Sequence, residues 1–234
     1  MPLNPGSPVE ERLGQPLREY WLDRVRNHLH DSYAGISMSK FPEDLRVYEH
    51  LLWQSRANVV IEIGTQYGGS ALWFRDRLFA MRRYFAGPEP HVISLDVDNE
   101  AAVENLGRAD RKYRETITLL KGDVSDPGLA QQVRRRLPRK ARCLVTEDSA
   151  HIFATTEAAL VNYSDFVPVG GYFVVEDGCV DIDTMRPTDD WPRGVRPALD
   201  QWLATKQGSH FRSRRDLEMY GVTCHPRGFL QRES

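Results

Sequence analysis

Short apolar runs alternate with stretches of helical period along this chain of 234 residues. The apolar runs are rich in β-branched residues and predict strands over residues 58–63, 91–96, 116–120, 142–146 and 172–175. Between them, apolar side chains recur every three or four positions, which predicts helices over 70–85, near Glu100, near Leu129 and from about Thr155. Strands that alternate with helices need crossover connections. The pattern therefore predicts an α/β fold, a doubly wound parallel sheet with helices on both faces.

The N-terminal segment lacks this alternation. Residues 1–18 are rich in Pro and Gly and have no period, so we expect a loose tail or an arm that packs on a partner subunit. Helices are predicted over 20–30 and 41–55, the second with proline in its first turn. We therefore divide the chain into an N-terminal arm with short helices, residues 1–37, and a single domain, residues 38–234.

Two segments in the last quarter of the chain have patterns of their own. Residues 180–193 are polar and contain proline, which is typical of an active-site loop. Residues 219–232 predict a C-terminal antiparallel hairpin, turned by Pro226-Arg227-Gly228. The first segment is therefore expected beside the functional site, and the second near the end of the chain.

Composition narrows the class of partner. The formal net charge is −2, with 31 Lys plus Arg against 33 Asp plus Glu, so nothing indicates a nucleic-acid partner. No apolar run approaches the ~20 residues of a spanning helix, and MPLNPGSPVEER lacks the apolar core of a signal peptide. We expect a cytoplasmic protein without membrane insertion. Cys143, Cys179 and Cys224 suit neither a disulfide framework nor a zinc ribbon, and are predicted to be buried, reduced thiols.

Acidic residues follow consecutive predicted strands where each strand ends. In a doubly wound sheet, ligands bind at the carboxyl ends of the strands. The acids at these ends are Glu62, Asp96, Asp123, Asp148, Glu176 and Asp177. This edge is therefore the predicted functional site.

The first of these ends opens a glycine-rich loop, EIGTQYGGS, that suits a nucleoside ligand. Its spacing is GxxxGG with no following lysine, so it matches neither a Walker loop nor the usual dinucleotide fingerprint. Asp96 ends the next strand, where a carboxylate can accept both ribose hydroxyls of an adenosine, in NAD or in S-adenosylmethionine (SAM). Asp98 is a surface alternative. Asp123 lies either near the adenine amino group or at a helix N-cap.

The last two strand ends bring carboxylates together. Neighbouring parallel strands lie ~4.8 Å apart, so Asp148, Glu176 and Asp177 should converge and repel unless a cation neutralises them. Oxygen donors suit Mg²⁺, Mn²⁺ or Ca²⁺, although one or two of these acids could instead cap helices. His151, three residues after Asp148, is either a general base, a structural donor or an outer partner of the metal.

The succession EIGTQYGGSALWFRD, ISLDVD, GDVSDP, EDSAH and GGYFVVED resembles the cephalosporin hydroxylase / rhamnosyl O-methyltransferase family, from about Met38 to the C-terminal GFLQR. The resemblance implies a Rossmann-like class I methyltransferase sheet and SAM as cofactor. It places the cofactor on Glu62, Gly64, Thr65, Tyr67, Gly68, Gly69, Ser70, Asp96 and Asp123. It also implies that Asp148, Glu176 and Asp177 hold Mg²⁺ or Mn²⁺, with His151 or Asp148 as the catalytic base.

The implied function is metal-dependent O-methyl transfer from SAM to a hydroxyl of a small natural product, as in antibiotic biosynthesis, by a homo-oligomer. A rhamnosyl-type sugar hydroxyl is the favoured acceptor, although many sugar-methylating relatives carry an acid where this chain has Ala150. Candidates for the acceptor pocket are Tyr20, Trp21, Arg186, Trp191 and Arg193. Two alternatives stay open, a SAM-binding accessory partner of a hydroxylase and an NAD-dependent oxidoreductase.

Overall fold

A computed structural model describes residues 9–85 and 87–234, so residues 1–8 of the predicted tail lie outside the described part. The helices are α1 (Val9–Arg12), α2 (Leu17–His28), α3 (Pro42–Ser55), α4 (Gly69–Arg82), α5 (Glu100–Ala109), α6 (Pro127–Arg136), α7 (Phe153–Tyr163) and α8 (Val195–Leu203). The strands are β1 (Ser32–Tyr33), β2 (Ile36–Ser37), β3 (Val59–Ile63), β4 (His91–Asp96), β5 (Ile117–Lys121), β6 (Cys143–Glu147), β7 (Tyr172–Val175), β8 (Phe211–Ser213) and β9 (Phe229–Arg232).

Seven of these strands form one sheet, in the order β5-β4-β3-β6-β7-β9-β8. The first five strands run parallel, and β9 pairs antiparallel with both β7 and β8. Ile63 lies level with Leu95 on one side and with Glu147 on the other. This register brings the carboxyl ends of the central strands to the same edge. The predicted α/β class and its parallel core are confirmed.

The sheet is covered on both faces, which explains why its strands are continuous apolar runs. Val59, Ile61 and Ile63 of β3 belong to one buried cluster, whereas Val60 between them belongs to the other. The first cluster includes Tyr163 of α7 and Trp202 of α8, and the second includes Tyr48 of α3 and Phe74 of α4. Helices therefore pack on both faces, as the periodicity predicts.

The segment before α3 packs on the domain. Trp21 and Val25 of α2 are buried in the first cluster, and the Trp21 indole Nε1 donates to the carbonyl oxygen of Met185 at 2.7 Å. The division at residues 37 and 38 stays a prediction. Within the described residues, no helix combines the length and the apolar character needed to cross a bilayer.

The C-terminal hairpin is present, but its pairing differs from the predicted one. The turn at Pro226-Arg227-Gly228 leads directly into β9, whose antiparallel partner is β8 at Phe211–Ser213 and not the segment that starts at Met219. Residues 219–221 instead form a turn with exposed side chains. The sequence analysis also missed α8, although Val195, Ala198, Leu199 and Trp202 are buried at helical spacing.

Candidate functional site

A cavity of about 560 Å³ opens at the carboxyl ends of the central strands. The loops after β3, β4 and β5 line it, together with residues that follow β6 and β7. Asp96, Asp123, Asp148, His151 and Asp177 all contribute to its wall. The edge that the acidic strand ends indicate is therefore the edge that carries the cavity.

The glycine-rich loop is shaped by the groups around it. Gly64 has φ +101°, and a Cβ at this position would overlap the backbone carbonyl of Asp148. Only glycine therefore lets the loop after β3 pass this close to the backbone after β6. One oxygen of Asp96, Oδ2, accepts hydrogen bonds from the backbone N–H groups of Thr65 at 2.9 Å and Gln66 at 2.8 Å. The other oxygen, Oδ1, accepts a longer bond of 3.2 Å from the backbone N–H of Asp98. Asp96 thus holds the loop with one oxygen and offers the cavity the second.

The structure brings most of the predicted cofactor residues to the cavity wall. Those on the wall are Gly64, Thr65, Tyr67, Gly69, Ser70, Asp96 and Asp123. Glu62 is fully buried and accepts a hydrogen bond from the Ser94 hydroxyl at 2.5 Å, so it supports the loop from inside. Gly68 precedes α4 in a left-handed conformation and packs on Leu106. Neither Glu62 nor Gly68 lines the cavity.

Asp123 follows β5 at the far side of the cavity. Its Oδ1 accepts from both the backbone N–H and the hydroxyl of Ser125 at 2.8 Å, and these bonds lower the pKa of Asp123. The cap of α6 is a different residue, since Asp126 accepts from the backbone N–H of Gly128. The N-cap alternative for Asp123 is therefore wrong, and its carboxylate remains on the cavity wall.

A lysine lies among the three acids that were predicted to converge. The Nζ of Lys40 lies 2.8 Å from Asp148 Oδ2 and 2.8 and 2.7 Å from the two carboxylate oxygens of Glu176. The Lys40 side chain is only 3% exposed. Burial alone would lower the pKa of Lys40, but the charges of Asp148 and Glu176 outweigh it and raise that pKa well above its ordinary value.

Glu176 points into the protein. Besides Lys40, its Oε1 accepts from the Tyr48 hydroxyl and the Thr146 hydroxyl, each at 2.6 Å. Its Oε2 lies 3.4 Å from His225 Nε2, and the side chain is 2% exposed. Burial opposes ionisation of Glu176, yet the charge of Lys40 and the hydrogen bonds from Lys40 and Thr146 lower its pKa to about 2. Glu176 is therefore an internal carboxylate whose oxygens are already bound.

His225 connects the backbone of Asp177 to the buried groups around Glu176. Its Nδ1 accepts from the backbone N–H of Asp177 at 3.1 Å, which places the ring proton on Nε2. That Nε2 lies 3.6 Å from Asp44 Oδ2, and Asp44 in turn accepts from the Thr223 hydroxyl and the Cys224 backbone N–H. Asp177 itself has φ +54°, a left-handed conformation that costs energy in a residue other than glycine.

Asp148, His151 and Asp177 line the cavity next to Lys40. His151 Nε2 lies 3.3 Å from Asp177 Oδ2 and 3.9 Å from Asp148 Oδ1. Each of the three side chains is about a quarter exposed. Burial opposes protonation of His151, but Asp177 and Asp148 raise its pKa overall, while burial and the charge of Glu176 raise the pKa of Asp148 to about 7. His151 and Asp148 can therefore hold and move a proton near neutral pH.

The same three side chains also suit a divalent cation. One donor atom from each of Asp148, His151 and Asp177 lies within 4.8 Å of the others. Two carboxylates and an imidazole form a donor set that Mn²⁺ and Mg²⁺ accept, the imidazole favouring the softer ion. The chemistry of this set therefore fits a metal, although it is not the set of three carboxylates predicted from the sequence.

The flanking segments contribute less to the cavity than predicted. Of the five acceptor-pocket candidates, Trp191 lines the cavity. Arg186 is buried, and its guanidinium donates to the carbonyl oxygens of Val180, Pro192, Asp189 and Trp191. It holds the 180–193 loop together. Arg193 lies at the surface in an ion pair with Asp183.

The sequence analysis missed the interior partners, above all Lys40, Tyr48 and His225. Each lies far along the chain from the acid it contacts, with 108 residues between Lys40 and Asp148 and 128 between Tyr48 and Glu176. One signal was available for Lys40, which stands between the apolar residues of GISMSKFP. A lysine in such a setting is buried only where acids pair with it.

Comparisons with known proteins agree with this architecture. A profile of the rhamnosyl O-methyltransferase/CmcI family matches residues 25–233. Rhamnosyl O-methyltransferase of Mycobacterium bovis is 25% identical over 204 residues, which cover 86% of this chain and 78% of the relative. The same enzyme of Mycobacterium leprae is 25% identical over 205 residues, covering 86% and 83%.

Solved structures share the fold. A structure of CmcI with Mg and SAM has a TM-score of 0.62 at 24% identity, over 88% of this chain and 78% of that chain. An O-methyltransferase from Bacillus cereus in complex with SAH has a TM-score of 0.53 at 17% identity, over 87% and 86%. The family profile covers far more than half of the residues. The chain therefore belongs to the rhamnosyl O-methyltransferase/CmcI family, among the class I SAM-dependent O-methyltransferases.

Proposed function

We propose that this protein transfers the methyl group of SAM to a hydroxyl of a small, hydroxyl-bearing natural product, with a sugar hydroxyl as the favoured acceptor. One observation carries the proposal. One cavity is lined both by the glycine-rich loop with Asp96, which we call the cofactor end, and by Asp148, His151 and Asp177, which we call the acid–base end. A cofactor on the loop would thus face a group that can take a proton from the acceptor.

The cofactor end binds and orients. The backbone of Gly64 to Ser70 would hold the methionine part of SAM, and Oδ1 of Asp96, which carries only the longer bond from Asp98, would accept the ribose hydroxyls. Asp123 would lie near the adenine. Glu62 and Gly68 act on the loop from outside the cavity, since Glu62 is buried beneath it and Gly68 turns the chain into α4.

The acid–base end prepares the acceptor. His151 Nε2 is the ring nitrogen on the cavity side, because Nδ1 is buried and has no hydrogen-bond partner among the described residues. It would take the hydroxyl proton, and Asp177 at 3.3 Å would stabilise the imidazolium that results. Asp148, with its raised pKa, is the second candidate for the base. The protein would otherwise accelerate methyl transfer by positioning the acceptor against the methyl group and by excluding water.

Metal dependence is part of the proposal. Asp148 and Asp177 would hold Mg²⁺ or Mn²⁺ beside His151, and a bound ion would lower the pKa of the acceptor hydroxyl as a Lewis acid. The sugar preference rests on the names of the Mycobacterium relatives and on the indole of Trp191 beside hydrogen-bonding carboxylates. The predicted homo-oligomer stays a prediction.

The first experiment measures binding. The purified protein is titrated calorimetrically with SAM and, separately, with NAD, each with and without Mg²⁺. Micromolar binding of SAM alone is the expected result. Binding of NAD without SAM would overturn the proposal and favour the oxidoreductase alternative.

The second experiment measures transfer. SAM with a labelled methyl group is incubated with rhamnosides, other glycosides and a catechol, before and after treatment with EDTA and re-addition of Mg²⁺ or Mn²⁺. We expect label in the glycosides and loss of transfer with EDTA. Full activity in EDTA would refute the metal, and absence of label in every acceptor would favour the accessory-partner alternative.

A variant assigns the base. His151→Ala should lower kcat by about 10²–10⁴-fold and leave the Kd of SAM within about threefold. The control is His210→Ala, since His210 is only half-buried and contacts Ser234 next to β8, at the far edge of the sheet. If His151→Ala keeps the wild-type kcat, the base is Asp148.

A further inference from the structure

A second cavity, of about 470 Å³, opens at the other end of the sheet from the candidate active site. Asn58, Pro90 and Arg142 line it, and these residues come directly before β3, β4 and β6. The cavity thus lies at the amino ends of the central strands. Because β3 has five residues, its amino end is about 17 Å from the glycine-rich loop. The cavity therefore lies outside the site proposed for methyl transfer.

The charged side chains on the wall of this second cavity are all cations. They are Arg56, Arg82, Lys140 and Arg142. Arg82 is paired with Glu89 at 2.5 Å, whereas no carboxylate in the described part of the chain lies within 4 Å of the charged nitrogens of the other three. Three positive charges are thus left unmatched, in a chain whose formal net charge is −2. Such a local excess of positive charge favours an anionic ligand.

Two of these cations have a backbone conformation that favours glycine. Arg56 follows α3 with φ +51°, at a position that is glycine in many helices, and Lys140 has φ +63°. A side chain destabilises this left-handed conformation. The stability of the fold therefore does not explain an arginine and a lysine at these two positions, whereas a ligand that binds both charges does.

Hydrogen-bond donors on the wall are also left without acceptors. The Oδ1 of Asn58 accepts from the backbone N–H of Arg142 at 2.7 Å, but its buried Nδ2 has no acceptor among the described residues. The Nε of Arg142 donates to the carbonyl oxygen of Ser55 at 2.8 Å, which orients the guanidinium. Its two terminal nitrogens make no hydrogen bond within the described ranges, and such a pair suits the oxygens of a phosphate.

The remainder of the wall is apolar. Leu78 is 2% exposed, and the Phe85 ring packs on Trp53 with 4.7 Å between the ring centroids. The Arg56 guanidinium lies over the same Phe85 ring, 5.6 Å from its centroid. A fixed aromatic ring beside unmatched cations suits a ligand that carries both a phosphate and an apolar ring. The cavity has the size of small-molecule sites, which span roughly 300–1,000 Å³.

We propose that this cavity binds a small organic phosphate with two or three negative charges, of the nucleoside diphosphate class, through Arg56, Lys140 and Arg142. The phosphates lie on the three cations, and the ring of the ligand lies on the apolar wall beside Phe85. This second site is separate from the proposed methyl transfer, and its test uses neither a methyl acceptor nor a metal.

The test is a calorimetric titration of the full chain with uridine diphosphate (UDP) in EDTA, beside titrations with pyrophosphate and with uridine. We expect UDP to bind with a Kd of about 10–100 μM. Pyrophosphate should bind at least about threefold more weakly because it lacks the ring, and uridine should not bind detectably. Saturating S-adenosylhomocysteine should leave the Kd of UDP unchanged. Absence of UDP binding would overturn the proposal, and so would competition between the two ligands, since UDP would then occupy the first cavity.

Charge variants test the residues. Lys140→Met and Arg56→Met should each raise the Kd of UDP by about tenfold or more, since each removes a charge-assisted hydrogen bond. Glu89→Gln releases Arg82 from its ion pair and should lower the Kd by about twofold to threefold. The control Lys206→Met changes an exposed lysine away from the cavity and should leave the Kd unchanged. Wild-type affinity in both Lys140→Met and Arg56→Met would refute the site.

One further variant separates binding from folding. Arg56→Gly relieves the left-handed conformation and should raise Tm by about 2–4 °C, yet it should weaken UDP binding as much as Arg56→Met. A loss of affinity in a more stable protein cannot be attributed to unfolding. Vesicles of phosphatidylglycerol form the last arm of the test, because a lipid headgroup offers the same phosphate. Binding of the protein to these vesicles without binding of UDP would overturn the small-molecule ligand.

Discussion

At the scale of single residues, His225 links the strained part of the site to the core. Its Nδ1 accepts from the backbone of Asp177, whose left-handed conformation persists only if its surroundings hold it. We expect His225→Leu to lower the free energy of unfolding by about 3 kcal/mol, since it leaves the Asp177 N–H without its acceptor and removes the imidazole beside the buried carboxylates of Asp44 and Glu176. Urea denaturation measures the change.

The control for this prediction is another histidine with one side-chain hydrogen bond. His91→Leu removes the contact of His91 with the Thr118 hydroxyl, at the opposite end of the sheet from the cavity, and should cost about 1 kcal/mol. Equal losses of unfolding free energy in His225→Leu and His91→Leu would show that the hydrogen bonds of His225 add nothing to its packing. A further sign of the proposed role is a drop in kcat for His225→Leu alone.

The site residues that could be predicted from the sequence differ in one physical respect from those that could not. Asp96, Asp148 and Asp177 could be predicted because the strand that precedes each one determines where it lies. Lys40 and His225 could not, since they come from loops and their positions depend on contacts with distant parts of the chain. The expected cation among the acids is thus present as an ammonium, which the pattern of acids alone does not distinguish from a metal.

At the scale of elements, the loop after β3 depends on one close backbone contact, between Gly64 and Asp148. Gly64 and Gly35 both have positive φ, but only at Gly64 would a Cβ overlap another backbone, that of Asp148. We expect Gly35→Ala to cost about 1–2 kcal/mol, the price of a left-handed alanine, and Gly64→Ala to cost more than about 3 kcal/mol and abolish SAM binding. Thermal unfolding and calorimetric titration check this. Similar losses of stability in Gly35→Ala and Gly64→Ala would contradict a special role for the contact between Gly64 and Asp148.

The 180–193 loop offers a second prediction at this scale. Arg186 donates to four of its carbonyl oxygens, so Arg186→Met should open the loop and speed its cleavage by a protease about tenfold or more. The KM of the acceptor should rise while the Kd of SAM stays unchanged, since this loop carries Trp191, which lines the cavity and is the proposed contact of the acceptor. Arg193→Met, which breaks a surface ion pair, is the matched control. Unchanged cleavage in Arg186→Met would refute the role of these bonds.

The strands were predicted correctly where a run of apolar residues is also buried in the structure, and they were missed where a strand is short and partly exposed. The strands at 91–96 and 172–175 match their predicted bounds, because residues 92–95 and 172–175 are buried on both faces of the sheet. The partner of β9 was missed because β8 is a strand of three residues with one exposed side chain, Arg212. Its pairing comes from the edge that β9 leaves open, which no local pattern encodes.

At the scale of the whole molecule, the fold holds several carboxyl groups away from water, and this couples stability to pH. Burial raises the pKa of Glu62 to about 7, against the opposing charge of Lys40. Between the ordinary pKa of 4.5 and about 7, the folded protein keeps a proton that the unfolded chain has released. Because the folded state binds more protons in this window, the free energy of unfolding falls as pH rises through it.

Comparison with Glu62→Gln isolates this contribution from those of the other buried acids. The variant cannot ionise at this position, so its stability relative to wild type should increase by about 3 kcal/mol between pH 4.5 and 7 and then level off. Urea unfolding of both proteins at several pH values measures the difference. Glu115→Gln, at an exposed position, should give a curve parallel to wild type. A Glu62→Gln curve that is also parallel would mean that Glu62 is ionised inside the fold, held so by Lys40.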